Sequence, residues 1–176
     1  LNIQKMLSFS ELGVGENVLK AIQELGFIEP TPIQQQAIPV LLADETDFVG
    51  LAQTGTGKTA AFGLPILELT DLRIPTTQAL ILAPTRELCV QIANDLAKYG
   101  KFHRAANITA VYGGANIIQQ IRQIKKGSQI VVATPGRLLD LINRGAIDMG
   151  EIRYLILDEA DEMLNMGFKD DIDEIL

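Results

Sequence analysis

The 176-residue chain has little of the side-chain chemistry that many catalytic sites use, with one cysteine, one histidine and no tryptophan. A lone Cys89 cannot form an intrachain disulfide, which favours a reducing compartment and predicts a cytoplasmic location. It lies in a helical pattern, where we expect a small core residue. Around His103 there is no pattern typical of a metal site or a catalytic triad. No apolar stretch reaches the roughly 18 residues of a membrane span, and no secretory signal pattern is present.

The chain also lacks an excess of positive charge, because its net charge is −7. That sign argues against a protein that simply coats nucleic acid. Any contact with nucleic acid must come from local basic side chains or from backbone donors. The overall composition, 47% hydrophobic and 21% charged, is that of an ordinary globular domain.

The segment Ala52–Thr59, with the sequence AQTGTGKT, has the pattern of a loop that binds phosphate. It follows an apolar run and precedes a helical pattern, and its two glycines allow backbone N–H groups to point towards an anion. Lys58 would reach the outer phosphates, and the Thr59 hydroxyl would bind magnesium. The general pattern has glycine at its first position, where this chain has Ala52.

The second signal is an acidic segment, Asp158–Asp161, which directly follows the apolar run Tyr154–Leu157. Its carboxylates are therefore expected at the carboxyl edge of a buried strand, where open α/β sheets bind their ligands. The glycine-bearing loop and this acidic strand end together predict a nucleoside triphosphatase.

Short apolar runs alternate with helical patterns along the chain. The runs are continuous, as expected for parallel strands that are covered on both faces. They predict a doubly wound α/β sheet that is mainly parallel and flanked by helices. The five predicted strands are Phe48–Ala52, Ala79–Ala83, Ile108–Tyr112, Ile130–Ala133 and Tyr154–Leu157.

Two helical stretches, at about 14–25 and 33–42, precede the first predicted strand. The segment between them contains two prolines, which enforce an irregular turn. Thr31 is expected to cap the second helix, with Pro32 at its first position.

Six motifs in order give the chain a specific resemblance to a known family. They are Gly26–Gln34, Ala52–Thr59, Pro84–Leu88, Gly113-Gly114, Thr134–Arg137 and Asp158–Asp161. With these motifs the chain resembles the first RecA-like domain of a DEAD-box RNA helicase, over nearly its whole length. The loop of that family begins with alanine, so Ala52 fits it.

The resemblance implies one N-terminal RecA-like, P-loop ATP-binding domain over residues 1–176. Residues 1–45 would be an adenine-recognising segment, and residues 46–176 would be the P-loop core, truncated at its C-terminal edge. A second RecA-like domain of the parent protein would lie outside the chain. We expect the isolated domain to be a monomer.

The resemblance also implies the residues that bind ATP. Gln34 would contact the adenine, because an amide offers both the donor and the acceptor that the adenine edge requires. Phe9 either stacks on the base or anchors the N-terminal segment, and Phe27 is a similar case. The full implied set is Phe9, Phe27, Glu29, Gln34, Gln53, Thr54, Gly55, Thr56, Gly57, Lys58 and Thr59.

The implied catalytic residues are Lys58, Asp158 and Glu159. Asp158 would hold Mg²⁺ through water together with Thr59, and Glu159 would orient and deprotonate the attacking water. Asp161 would contact the second domain. That domain would also supply arginine residues to the transition state, so the chain alone is expected to bind nucleotide but to hydrolyse it poorly.

The remaining motifs imply an RNA-binding edge that contacts the phosphate backbone with little sequence specificity. Turns of this type are also common as plain connections between strands and helices, and Arg86 could instead form a structural ion pair. The implied RNA-binding residues are Pro84, Thr85, Arg86, Gly113, Gly114, Thr134, Pro135, Gly136 and Arg137.

The resulting prediction is an ATP-dependent RNA helicase domain that unwinds short duplexes together with its second domain. One alternative is an ATP-gated RNA clamp that serves as an assembly platform. Another is a P-loop nucleoside triphosphatase or kinase unrelated to RNA. A DNA helicase fits the motifs less well.

Overall fold

The computed structural model of the chain describes residues 7–43, 46–103 and 106–176. In these ranges four strands alternate with helices, and a short 3₁₀ helix, Met149–Glu151, precedes the last strand. The strands are β1 Ala79–Leu82, β2 Ile108–Val111, β3 Ile130–Ala133 and β4 Tyr154–Leu157. The α-helices are α1 Glu16–Glu24, α2 Pro32–Ala43, α3 Lys58–Leu69, α4 Arg86–Tyr99, α5 Ile117–Lys125, α6 Pro135–Asn143, α7 Ala160–Asn165 and α8 Lys169–Ile175.

The four strands form one parallel sheet in the order β2-β3-β1-β4. Every residue of β1 and β3 is buried, as the continuous apolar runs predicted for central strands. The strands are aligned so that Leu82 is level with Ala133 and Leu157. The loops that follow the strands therefore leave the sheet along a single edge, which confirms the α/β prediction.

One core cluster packs on the face of the sheet that carries Leu80, Leu82 and Val131. Successive side chains of a strand point to opposite faces, so Ala79 and Ile81 lie on the other face, where they are also fully buried. Residues of α5, α6, α7 and α8 complete the first face: Ile124, Leu138, Leu141, Met163, Ile172 and Ile175.

The prediction of a strand at Phe48–Ala52 is wrong for this structure. The segment has no regular secondary structure, and Val49 and Leu51 are 88% and 94% exposed. A strand requires a neighbour for its N–H and C=O groups, and no strand of the described residues pairs with this segment. The apolar composition of the segment is therefore not sufficient to predict a strand. The loop and helix predicted after it are present.

The chain divides into two compact units. The N-terminal unit contains the described residues of 1–69 and 98–104, with α1, α2 and α3. The sheet unit contains those of 70–97 and 105–176. This division does not test the predicted boundary between residues 45 and 46, which stays a prediction. No helix within the described ranges is long and apolar enough to cross a membrane.

Candidate functional site

The phosphate loop, Ala52–Thr59, belongs to the N-terminal unit and leads directly into α3, which begins at Lys58. Gly55 and Gly57 have φ angles of 80° and 88°, a left-handed conformation that glycine adopts without steric cost. The Thr56 hydroxyl donates a hydrogen bond to the Gln53 carbonyl at 2.6 Å, which closes the turn. The loop thus has the backbone form that an anion site requires, at the positive end of a helix.

Gln34 contacts the backbone of this loop. Its side-chain Nε2 donates to the Gly57 carbonyl at 3.1 Å, and its Oε1 accepts from the Thr31 backbone N–H at 2.9 Å. The residue is only 3% exposed. An amide still has one further N–H and one further lone pair, so a contact with adenine stays a prediction. The contact with Gly57 is a finding that the sequence did not predict.

Thr31 was expected to cap α2, but its backbone N–H, not its side chain, makes the observed contact. Together with Gln34 it has the spacing of a capping box, but only the bond from the Thr31 N–H to Gln34 is formed. The buried Thr31 hydroxyl has no hydrogen-bond partner in the part of the chain that the structure describes. A side chain added at Gly57 would lie 3.3 Å from this hydroxyl. Thr31 is therefore a polar neighbour of the phosphate loop that the sequence analysis did not assign to the site.

Three aromatic rings form a cluster in the N-terminal unit. Phe27 lies 6.1 Å from Phe9 and 5.8 Å from Tyr99, between ring centroids. Phe9 is 5% exposed, and a hollow of about 120 Å³ opens beside Phe9 and Phe27. The burial of Phe9 is consistent with an anchor for the N-terminal segment, and stacking on a base stays a prediction. Glu29 is exposed.

The acidic strand end belongs to the sheet unit. The Asp158 backbone N–H donates to the Leu82 carbonyl at 2.9 Å, which extends the ladder of β4 by one residue and leaves Asp158 buried. Glu159 has φ 53° and ψ 48°, and it is the one non-glycine residue with a positive φ among those described. Such strain persists only where the surrounding structure enforces it, and it is common at active sites. Asp161 is exposed in the first turn of α7.

A groove lies at the same edge of the sheet as Asp158; the loops after β1, β2 and β3, together with the first residues of the helices that follow them and with Phe168, line it. We call it the three-loop groove; its volume is about 450 Å³. The predicted RNA-binding residues Pro84, Thr85, Gly114 and Pro135 belong to its loops but do not line it. Of these, Thr85 accepts a hydrogen bond from the Leu88 N–H and so caps the start of α4. The lining residues are Arg86, Gly113, Thr134, Gly136, Arg137 and Phe168, the last of which the sequence analysis missed.

The two arginines of the groove are held by neighbouring groups. The Arg137 Nη1 donates to the Gln120 Oε1 at 2.7 Å and to the Ala115 carbonyl at 3.2 Å. The Arg86 guanidinium lies 4.8 Å from the centroid of the Tyr112 ring. In the sequence, Gly113 and Gly114 stand between Tyr112 and Ala115, which make these contacts, and helices α4, α5 and α6 directly follow the three loops. The edge therefore combines positive side chains with helix N-termini.

The donor set expected for magnesium consists of oxygens only. Within the described ranges no three Asp, Glu, His or Cys side chains form a cluster that could hold a metal ion. The hydroxyl of Thr59 and the buried carboxylate of Asp158 are donors of the kind that Mg²⁺ prefers. Each is of a kind that suits an ion whose other ligands are phosphate oxygens and water, and their joint binding of Mg²⁺ stays a prediction.

Cys89 is fully buried in α4, and burial raises the pKa of its thiol to about 12. The thiol is therefore protonated at neutral pH and is not an activated nucleophile. This confirms the prediction of a core cysteine.

Comparisons with known proteins agree with this architecture. The family model of the DEAD/DEAH box helicases matches residues 31–176. An ATP-dependent RNA helicase CshA of Listeria monocytogenes is 52% identical over 97% of this chain, and a DEAD-box ATP-dependent RNA helicase CshA of Geobacillus kaustophilus is 50% identical over the same share. The chain covers 32% and 36% of these two proteins.

A crystal structure of a DEAD box protein from Methanococcus jannaschii matches with a TM-score of 0.91 and 46% identity. The match covers 96% of this chain and 46% of the other. The fold and the phosphate loop thus define a RecA-like protein of the P-loop class. The chain belongs to the DEAD/DEAH box helicase family. This membership disfavours the alternative of an unrelated nucleoside triphosphatase or kinase.

Proposed function

We propose that the chain is the first RecA-like domain of an ATP-dependent RNA helicase, in which ATP hydrolysis is coupled to local unwinding of RNA duplexes. The observation that carries the proposal is the composition of one edge of the sheet. The buried Asp158 and the strained Glu159 follow β4, and the three-loop groove with its two arginines follows the neighbouring strands. The groups proposed to activate water and the groups proposed to bind the RNA backbone thus lie at one edge of the same sheet.

In this proposal the phosphate loop binds ATP. Lys58 neutralises charge on the outer phosphates, and the backbone N–H groups of the loop bind their oxygens. The resemblance assigns Mg²⁺ to Thr59 and, through water, to Asp158, and the ion would supply further neutralisation of phosphate charge. Glu159 orients the attacking water and accepts its proton. Gln34 selects adenine over guanine.

The three-loop groove binds the phosphates and sugars of single-stranded RNA. Arg86 and Arg137 supply charge, while Gly113 and the helix N-termini supply backbone donors. Contacts of this type carry little sequence information, so we expect similar affinity for RNAs of different sequence. RNA would be distinguished from DNA through the 2′-hydroxyl.

A second RecA-like domain completes the proposed enzyme. The chain spans about a third of the length of the curated relatives given above, and the parent protein is proposed to act in the cytoplasm. If the second domain supplies arginine residues to the transition state, the chain alone should hydrolyse ATP about 10³ to 10⁵ times more slowly. We expect it to bind nucleotide as a monomer, with Asp161 facing the second domain in the complete protein.

The test uses the full-length protein with a short RNA duplex that carries a single-stranded overhang. We expect RNA to stimulate ATP hydrolysis and the duplex to separate only with ATP. The Glu159→Gln variant should bind ATP and RNA but neither hydrolyse nor unwind. An ATPase rate that RNA does not change would contradict the proposal. RNA-stimulated hydrolysis without strand separation would instead favour the clamp, which no present observation supports.

A further inference from the structure

Two residues outside the six motifs connect the loops of the three-loop groove. Tyr112 is the last residue before Gly113, and Gln120 lies in the middle of α5. Neither has a role in the function proposed above. Both contact the arginines that face the groove.

Gln120 is 5% exposed, and both ends of its amide are bonded. Its Oε1 accepts from the Arg137 Nη1 at 2.7 Å, and its Nε2 donates to the Tyr112 carbonyl at 3.3 Å. One buried side chain thus joins the loop after β3 to the loop after β2. Because the acceptor faces a guanidinium, the shorter bond is charge-assisted and among the stronger ones.

Tyr112 extends the connection to the third loop. Its ring lies below the Arg86 guanidinium, at 4.8 Å from centroid to Cζ, in the geometry of a cation–π contact. Its carbonyl accepts from Gln120. The series Arg86, Tyr112, Gln120 and Arg137 therefore passes through all three loops.

These hydrogen bonds leave the other N–H groups of Arg137 available to bind a ligand. A guanidinium has five N–H donors, and the bonds to Gln120 and Ala115 both come from Nη1. Nε and Nη2 retain three donors for a phosphate oxygen. A long arginine side chain that is already fixed loses less conformational entropy when it binds, so fixing it increases affinity.

We propose that Gln120 and Tyr112 are positioning residues for RNA binding, with Gln120 orienting Arg137 and the Tyr112 ring orienting Arg86. This rests on the function proposed above, because it assigns how the RNA-binding arginines are held. The two residues act through the arginines and need not touch RNA.

The test measures the dissociation constant of a fluorescent uridine oligonucleotide for the full-length protein, with a non-hydrolysable ATP analogue and over a range of salt concentrations. Gln120→Met keeps the volume of the side chain and removes both hydrogen bonds. Gln119→Met, on the exposed neighbour in the same helix, is the matched control. We expect Gln120→Met to weaken binding up to about tenfold, the order of the conformational entropy of one arginine side chain, and the control to bind like wild type.

Two readouts separate positioning from general damage. If Gln120 acts through Arg137, Gln120→Met should weaken RNA binding by less than about twofold in an Arg137→Met background. Arg137→Met itself should lower the salt slope of log Kd by about 0.7, the value of one lost phosphate contact on a single strand, whereas Gln120→Met keeps the arginine charge and should leave the slope near that of the wild type. A merely structural change would lower the active fraction or the melting temperature and would weaken binding equally in the Arg137→Met background.

Substitutions of the Tyr112 side chain give an independent test, because they leave the buried Gln120 amide unchanged. Tyr112→Phe keeps the ring and should bind RNA like wild type, whereas Tyr112→Leu should weaken binding unless Arg86 is also replaced by Met. If Arg137→Met weakens binding but Gln120→Met and Tyr112→Leu do not, the positioning proposal is overturned and the proposed function stands. Tighter binding by Gln120→Met would mean that Gln120 competes with RNA, and would also overturn it. Wild-type protein that fails to bind RNA would overturn both.

Discussion

Replacement of Gly57 by alanine should destabilise the protein more than replacement of Gly55, the other glycine of the phosphate loop. Both Gly55 and Gly57 have left-handed φ angles, so alanine at either site costs about 1 to 2 kcal/mol. A Cβ at Gly55 would meet no atom within 4 Å. A Cβ at Gly57 would lie 2.4 Å from the Gln34 Nε2, which must then move away.

The difference between the two variants comes mainly from Gln34, with the Thr31 hydroxyl at 3.3 Å from the new Cβ as a smaller contribution. Displacement of its amide breaks the hydrogen bond to the Gly57 carbonyl, which adds about 0.5 to 1.5 kcal/mol to the loss. We therefore expect a total of about 1.5 to 3.5 kcal/mol for Gly57→Ala, against about 1 to 2 kcal/mol for Gly55→Ala. At about 2 to 4 °C per kcal/mol, the melting temperature of Gly57→Ala should be lower by about 1 to 6 °C than that of Gly55→Ala.

The assay is thermal unfolding of both variants, followed by calorimetric titration with ADP and magnesium. A Gln34→Ala background removes the atom that the new Cβ would meet at 2.4 Å, leaves only the Thr31 hydroxyl at 3.3 Å, and should bring the two glycine variants close in stability. Equal melting temperatures in the wild-type background would refute the argument. So would a difference that persists without the Gln34 amide.

Further predictions concern the separate groups of the site. Lys58→Ala should abolish detectable ATP binding by calorimetry, because it removes the charge proposed to neutralise the outer phosphates; near-normal affinity would exclude the loop as the phosphate site. Gln34→Ala should reduce the preference for ATP over GTP in competition binding, and an unchanged ratio would place the adenine contact elsewhere. The Cys89 thiol, with its pKa raised to about 12, should resist iodoacetamide at pH 9 in the native protein and react readily in urea. An unfolded thiol titrates near 8.5, so Cys89 should make the protein less stable as the pH rises above about 9.

The sequence was most informative where the structure depends on local patterns. The apolar runs at Ala79–Leu82 and Ile130–Ala133 are buried strands because continuous apolar residues suit a sheet that is covered on both faces. The glycines of the phosphate loop were predicted from their spacing, since a left-handed turn has few other solutions. Pro32 begins α2, as its fixed φ angle indicated.

Contacts between distant side chains could not be predicted in this way. Nothing in the pattern around Gln120 indicates that its amide meets Arg137, 17 residues later, because that contact depends on how α5 packs beside the sheet. The same holds for Gln34 and Gly57, which are 23 residues apart. The error at Phe48–Ala52 has a related cause, since a strand is defined by its partner and a single segment does not reveal one.

The left-handed backbone of Glu159 has a consequence for anyone who engineers this protein for stability. At that position a glycine would relieve steric strain of about 1 to 3 kcal/mol, so a search guided by folding energy alone would favour it. The carboxylate proposed to activate water would then be lost. Selection for thermostability should therefore favour glycine at this position, whereas selection for turnover should favour glutamate. A stabilised variant intended to remain active must keep the strained Glu159.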